Sequence, residues 1–337
     1  VSPDGTRLVT GSKDKTAKVW ALADLVDGTK SYQADQLIAT LDDGQSGGAN
    51  AHTKEVDCVA FSHDGNYVVT GSVDRTAKLW RAVTAGSNPA GQFIRTFDDN
   101  AKAVPPATVG PDAHTSTIRS VAFSPDDSMV LTGSMDTTAK LWTTATGEFV
   151  RTIGSGVHEG GVNAVAFSTD GSHIYTGSTD KKIRQWAPDG TLETVFNGGA
   201  DAHSGTVTSL AVTANYIVSG SADKTARSWN PADGSLVRTF NSLEGGDANG
   251  HYQAIYSVAA VEAAGGDYLL TASKDKTVRR WNLATGVHDR TFELHSDEAT
   301  AVAFLPGTHE EFVSGSKDDT AKHLRTPLVI WVECGAF

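Results

Sequence analysis

Histidine, aspartate and hydroxyl side chains recur through this chain at fixed spacing. Together they are the parts of a nucleophilic hydrolase, in which a carboxylate orients a His that activates a Ser. The aspartates stand at positions 14, 74, 136, 180, 223, 275 and 318, and each follows a Ser by two positions. Six of them are preceded by a histidine: His52, His114, His158, His203, His251 and His295. A catalytic triad, however, occurs once and exposes its nucleophile. A set repeated in every unit reads as architecture, and the chain has no Gly-x-Ser-x-Gly elbow.

The elements that would position these residues are also repeated. The Asp belongs to a motif Gly-Ser-x-Asp-x-Thr-Ala-Lys-x-Trp, read at Gly11–Trp20, Gly71–Trp80, Gly133–Trp142, Gly177–Trp186, Gly220–Trp229, Ala272–Trp281 and Gly315–Leu324. Leu324 replaces the Trp in the last copy. Four of the intervals between aspartates lie between 43 and 52 residues, and two near 60 contain long loops. Four residues after each His an apolar residue opens a strand, as in His52/Val56 and His114/Ile118. A Val-Ala-Phe-like segment follows, then a turn such as Ser62-His63-Asp64-Gly65. A last segment resembles Phe149-Val150-Arg151-Thr152-Ile153. Each unit therefore predicts four short strands joined by turns. A unit this small cannot bury its own faces, so neighbours must stack.

These motifs resemble the WD40-repeat family, and the resemblance covers nearly all of the chain. It implies an all-β, seven-bladed β-propeller of four-stranded antiparallel blades in one domain. The units fall at about 1–41, 52–97, 114–153, 158–196, 203–240, 251–292 and 295–337. The chain departs from the family in lacking Asp after the Trp. The resemblance also implies a hydrogen-bonded set in each blade, from His, a Ser or Thr, Asp and Trp. The second unit offers His52, Thr70 or Ser72, Asp74 and Trp80; Thr70 and Ser72 share a strand face, which leaves the choice open. Further members are His114, Asp136 and Trp142; His158, Asp180 and Trp186; His203, Asp223 and Trp229; and His251, Asp275 and Trp281. Such a set would be structural, because a buried carboxylate is tolerated only when it accepts several hydrogen bonds.

Other chemistries find little footing. There is no phosphate-binding loop, no His-Glu-x-x-His and no paired Cys-x-x-Cys, so neither a cofactor nor a metal is expected. Asp42-Asp43 and Asp98-Asp99 lack the alternating ligand spacing of a calcium loop. Cys58 lies on an inner strand and reads as a core filler. The net charge is −12, from 40 acidic and 28 basic residues, which disfavours nucleic acid. No apolar run reaches membrane-spanning length. Only two cysteines occur, which fits cytosol or nucleus. The start at Val1 reads as a fragment or a processed chain.

The expected function is therefore a non-catalytic scaffold that binds peptide motifs or protein partners, alone or within a multidomain protein or a larger complex. The alternatives are a propeller hydrolase or lactonase with a channel site, which the mainly apolar inner strands disfavour, and a reader of modified or basic peptides. Two positions per unit would project at the narrow mouth of the ring. One precedes the motif Asp: Lys13, Val73, Met135, Thr179, Ala222, Lys274 and Lys317. The other lies three after the His and includes Glu55 and Glu298. Circular closure would give a basic arc of Lys13, Lys274 and Lys317 and an apolar arc of Val73 and Met135, with Glu55 and Glu298 available to a basic peptide. The first unit lacks its own first strand. The segment after Leu324 could be the outer strand of the seventh unit or the missing strand of the first, so closure is expected to be imperfect.

Overall fold

The computed structural model describes residues 1–22, 29–31, 36–42, 50–84, 89–98, 112–196, 202–241, 250–263 and 266–326. It is an all-β, seven-bladed propeller, with 27 strands among the described residues and no α-helix. Blade three shows the pattern. Ile118–Phe123 is innermost, followed outward by Met129–Ser134, Ala139–Thr143 and Phe149–Ile153, all antiparallel. Blades two, four, five and six keep this order. The chain thus enters each blade at one end of the ring. The turn between second and third strands returns to that end, and the other two turns lie at the opposite end.

Blades pack by burying the Trp-bearing third strand and the strand openers between sheets. Trp80, Val68, Val56 and Val19 share one cluster between blades one and two, and Trp142, Ile118, Val121 and Leu79 share the next. The motif Gly is explained here. A Cβ on Gly133 would lie 2.7 Å from Val165 Cγ1, and one on Gly177 would lie 2.6 Å from Val207 Cγ1. In blades one to five the second strand passes so close to the next blade's inner strand that no side chain fits. The sixth copy has Ala272 instead, and there the next strand opens with the smaller Ala299, both fully buried.

Ring closure differs from the reading that makes the C-terminal segment the outer strand of blade seven; the reading that makes it the missing strand of blade one lies outside the described residues. The outer position of blade seven is filled by Thr29–Ser31, inserted between the third and outer strands of the first unit. It pairs antiparallel with Ala321–Arg325, with Ser31 opposite Lys322 and Thr29 opposite Leu324. One of the two long intervals is therefore not loop alone. Blade one has three strands among the described residues, Arg7–Gly11, Ala17–Ala21 and Leu37–Leu41. Leu8, Leu305 and Val313 join it to blade seven. The segment after Thr326 lies outside the described residues, as does most of the Asp42–Ala51 and Asp98–Ala113 loops.

Candidate functional site

In blade two, His52 Nδ1 lies 2.9 Å from Asp74 Oδ2, and Nε2 lies 2.7 Å from Thr70 Oγ1. Trp80 Nε1 donates to the same Thr70 Oγ1 at 2.9 Å. Asp74, as a carboxylate, can only accept, so His52 carries its proton on Nδ1 and Nε2 accepts from Thr70. The result is a one-way chain from indole to hydroxyl to imidazole to carboxylate. The hydroxyl that sequence left open is Thr70. Ser72 instead donates to the Lys54 carbonyl and receives the Asp74 amide. Two contributors had escaped notice: Thr76 donates its hydroxyl and amide to Asp74 Oδ1, and the Thr53 amide donates to Oδ2. The Asp-x-Thr spacing was the signal for Thr76.

Blades three, five and six repeat the geometry through Thr132, Ser219 and Thr271. His114, His203 and His251 reach Asp136, Asp223 and Asp275 at 2.7–2.8 Å. Burial works against the charge of each Asp, yet the bonds from His and Thr outweigh it and hold the carboxyls well below their usual range. Burial pushes the imidazoles down, so they stay neutral at physiological pH. Blade seven adds a set absent from the sequence expectation: His295 bridges Asp318 at 3.0 Å and Ser314 at 2.9 Å. No indole joins it, because Leu324 holds the Trp position.

Blade four departs. His158 and Asp180 were expected to bond, but Nδ1 and Oδ2 are 3.9 Å apart. Arg184 stands between them and donates Nη1 to His158 Nδ1 and to Asp180 Oδ2, each at 2.8 Å. The cause is Lys182, which occupies the place of Thr76. In blades five and six an Arg also follows the Asp by four, yet Arg227 and Arg279 stay 4.0 and 3.9 Å away where Thr225 and Thr277 hold the carboxylate. Arg184 forces the other tautomer on His158, with Nε2 donating to Thr176. Burial first, and then the Arg184 charge, push His158 down to about 4.

At the mouth, the two projecting positions of blades two to seven are joined by one backbone bond. The amide of Val73 donates to the Glu55 carbonyl, Met135 to Thr117, Thr179 to Gly161, Ala222 to Thr206, Lys274 to Ala254 and Lys317 to Glu298, all at 2.8–3.0 Å. The side chains on this uniform frame differ. Lys13, Glu55, Thr179 and Ala222 are exposed, Val73 is half-buried, and Met135 is 37% exposed over Gly161. The expected basic arc contains an acid, Glu298. Lys274 and Lys317 both close on Glu298, at 3.7 and 2.5 Å, and Tyr256 donates its hydroxyl to the same carboxylate. Glu298 is thereby engaged rather than available to a basic peptide.

The inner strands are also less apolar than their Val-Ala-Phe segments suggested. Asp57 pairs with Arg119 of the next blade at 2.8 Å. Asn163 and Thr208 donate to the carbonyls of Val207 and Ile255, across two further blade boundaries. Ser120, Ser209 and Ser257 accept the amides of Val165, Val258 and Val302. Cys58 takes the corresponding place in blade two, its Sγ 3.9 Å from the Ile118 carbonyl, and burial raises its thiol pKa. Polar side chains here tie blade to blade. Among the described residues, no group of three or more His, Cys, Asp or Glu could hold a metal, and no helix is long and apolar enough to cross a membrane.

A propeller in which six blades carry versions of such a set defines a repeat class, and comparison with known families agrees. The family model "WD domain, G-beta repeat" matches residues 1–21, 45–81, 107–143, 147–187, 190–230 and 234–282. The chain belongs to the WD40 family. Its seventh copy, with Leu324, falls outside the matched stretches. "Protein HIRA" of Oryza sativa subsp. japonica is 29% identical over 149 residues, covering 44% of this chain and 14% of that protein. "Protein HIR1" of Cryptococcus neoformans is 29% identical over 153 residues, 45% of this chain and 16% of its own. "Mitochondrial division protein 1" of Schizosaccharomyces pombe is 31% identical over 153 residues, 44% and 20%. The matched region is thus a minor part of each of these relatives.

Proposed function

We propose that this chain is a non-catalytic protein-interaction scaffold whose mouth captures a peptide segment of a protein partner. The supporting observation is the set of backbone-bonded pairs in blades two to seven, one frame displaying a different pair of residues in each. Function in such folds resides on surfaces, and Val73 and Met135 on neighbouring blades supply apolar anchors, with Glu55 paired to Val73 through its backbone. The His–Asp–hydroxyl sets are unsuited to hydrolysis. Thr70, Thr132, Thr176, Ser219 and Thr271 are fully buried, and each already receives an indole N–H. The partners are proteins or peptides rather than nucleic acid, and the free Cys58 thiol favours cytosol or nucleus. A peptide array with basic, acidic and phosphorylated sets selects a ligand. V73E/M135E should then abolish its capture at an unchanged melting temperature. Undiminished capture by the folded double variant would discard the mouth as the docking surface.

A further inference from the structure

The end of the ring opposite the mouth is not uniform either. Between blades two and three the seam is latched. Asp127 Oδ1 accepts the His63 amide and Oδ2 accepts the Asp64 amide, both at 2.8 Å, and His63 Nδ1 adds a third contact at 2.9 Å. Asp127 holds φ at 58° to do so. The next seam lacks both halves of that latch. Its counterpart of His63 is Pro125, which has no amide hydrogen, and its counterpart of Asp127 is Gly171, which has no side chain. A cavity of about 470 Å³ opens there, between the turns of blades three and four.

Its floor is apolar, formed by Met129, Leu141, Val150 and Phe167, with Pro125 and Pro188 at the sides. Three carboxylates, Asp126, Asp170 and Asp189, stand at its rim, all exposed. Hydrogen bonds from Ser124, Ser168 and Thr191 in their own turns hold them ionised. Arg151 is the one cation, and it is committed to the Asp189 carbonyl at 2.6 Å. An apolar floor under a net negative rim selects against acidic and purely polar ligands.

We infer that this cleft is a second docking site, which takes one bulky apolar side chain of a peptide flanked by Lys or Arg. The cavity is of the size that encloses such an anchor. Basic flanks would meet carboxylates already fixed by their turns, so little ordering is lost on binding. The site is independent of the mouth and lies at the other end of every strand.

The chain contains two methionines, Met129 in the cleft and Met135 at the mouth. Labelling their methyl groups with ¹³C therefore gives one NMR reporter for each site, assigned with M129L and M135L. The probe is a synthetic amidated peptide, Gly-Arg-Arg-Phe-Arg-Gly, with Phe-to-Ala and Arg-to-Glu controls. Expected is a saturable shift of the Met129 line with Met135 unmoved, no shift with either control, and about tenfold weaker binding to D126N/D170N/D189N. The triple variant is read only at an unchanged melting temperature; the two control peptides test the wild-type protein irrespective of it. No shift at millimolar peptide, a shift of Met135 alone, or equal binding of the Ala control would each overturn the assignment. A Met129 line that moves with protein concentration alone would overturn it too, by showing a second copy of the chain in the cleft.

Discussion

Exchange of the motif Gly for Ala should be destructive in one blade and repairable from the next. In G177A the new Cβ would sit 2.6 Å from Val207 Cγ1 and 3.3 Å from its Cβ, against about 3.5–4.0 Å for an ordinary carbon contact. Overpacking of this kind costs about 1–3 kcal/mol. V207A alone removes two methyl groups from a fully buried site and costs about 2–3 kcal/mol. Together the two changes rebuild in blades four and five the arrangement that Ala272 and Ala299 already form between blades six and seven. The 2.6 Å clash is removed, leaving only the milder 3.3 Å approach to the Cβ of residue 207, and the added Cβ restrains the unfolded chain. The double variant should therefore be more stable than the sum of the singles by about 2 kcal/mol. Urea unfolding followed by tryptophan fluorescence measures all four corners of the cycle. Additivity within about 0.5 kcal/mol would mean that these strands do not meet, and would refute the packing argument.

Three further outcomes follow from the site geometry. D180A should lower the melting temperature markedly, since it leaves the buried Arg184 without its carboxylate, whereas D14A should have a small effect because the Asp14 side chain is 50% exposed; equal effects in calorimetry would sink the distinction. The six network histidines are held below their ordinary pKa, so the unfolded chain takes up protons first as pH falls. Stability should be whole above pH about 7 and decline below about 6.5, with His158 contributing down to about 4 and losing roughly 3 kcal/mol in all; a flat profile from pH 7 to 5 in urea titrations would contradict the neutral assignment. Thr137 is β-branched and holds φ at 72°, a conformation costly for such a residue, so T137G should stabilise by about 1 kcal/mol; a loss of stability would argue that the hydroxyl does more than the strain costs.

Much of this architecture was legible because its signals are local. The Gly-Ser-x-Asp turn, the strand opener four residues after His and the Trp six residues after the Asp all lie within one unit, and repetition multiplied each weak signal. What escaped depends on neighbours that sequence places far apart. Thr29–Ser31 carries no strand signature of its own, and its pairing with Ala321–Arg325 joins opposite ends of the chain. The lysines at 274 and 317 looked like free charge because Glu298 had been counted as a separate mouth residue. The substitution of Lys182 for Thr was visible, but its consequence, the entry of Arg184 between His158 and Asp180, needed the third dimension. The cleft between the turns of blades three and four appears only when the two blades are set side by side.

Most depends on whether the repeated His–Asp–hydroxyl sets are closed structural units rather than chemistry. Hydrogen exchange at the tryptophan indoles reads this directly, because Trp80, Trp142, Trp186, Trp229 and Trp281 each donate to the hydroxyl of their own set. These five indole protons should exchange orders of magnitude more slowly than that of a free indole, with half-buried Trp20 faster than all of them. Exchange of the five at the free rate would show sets open to water and to substrate, and would contradict the claim.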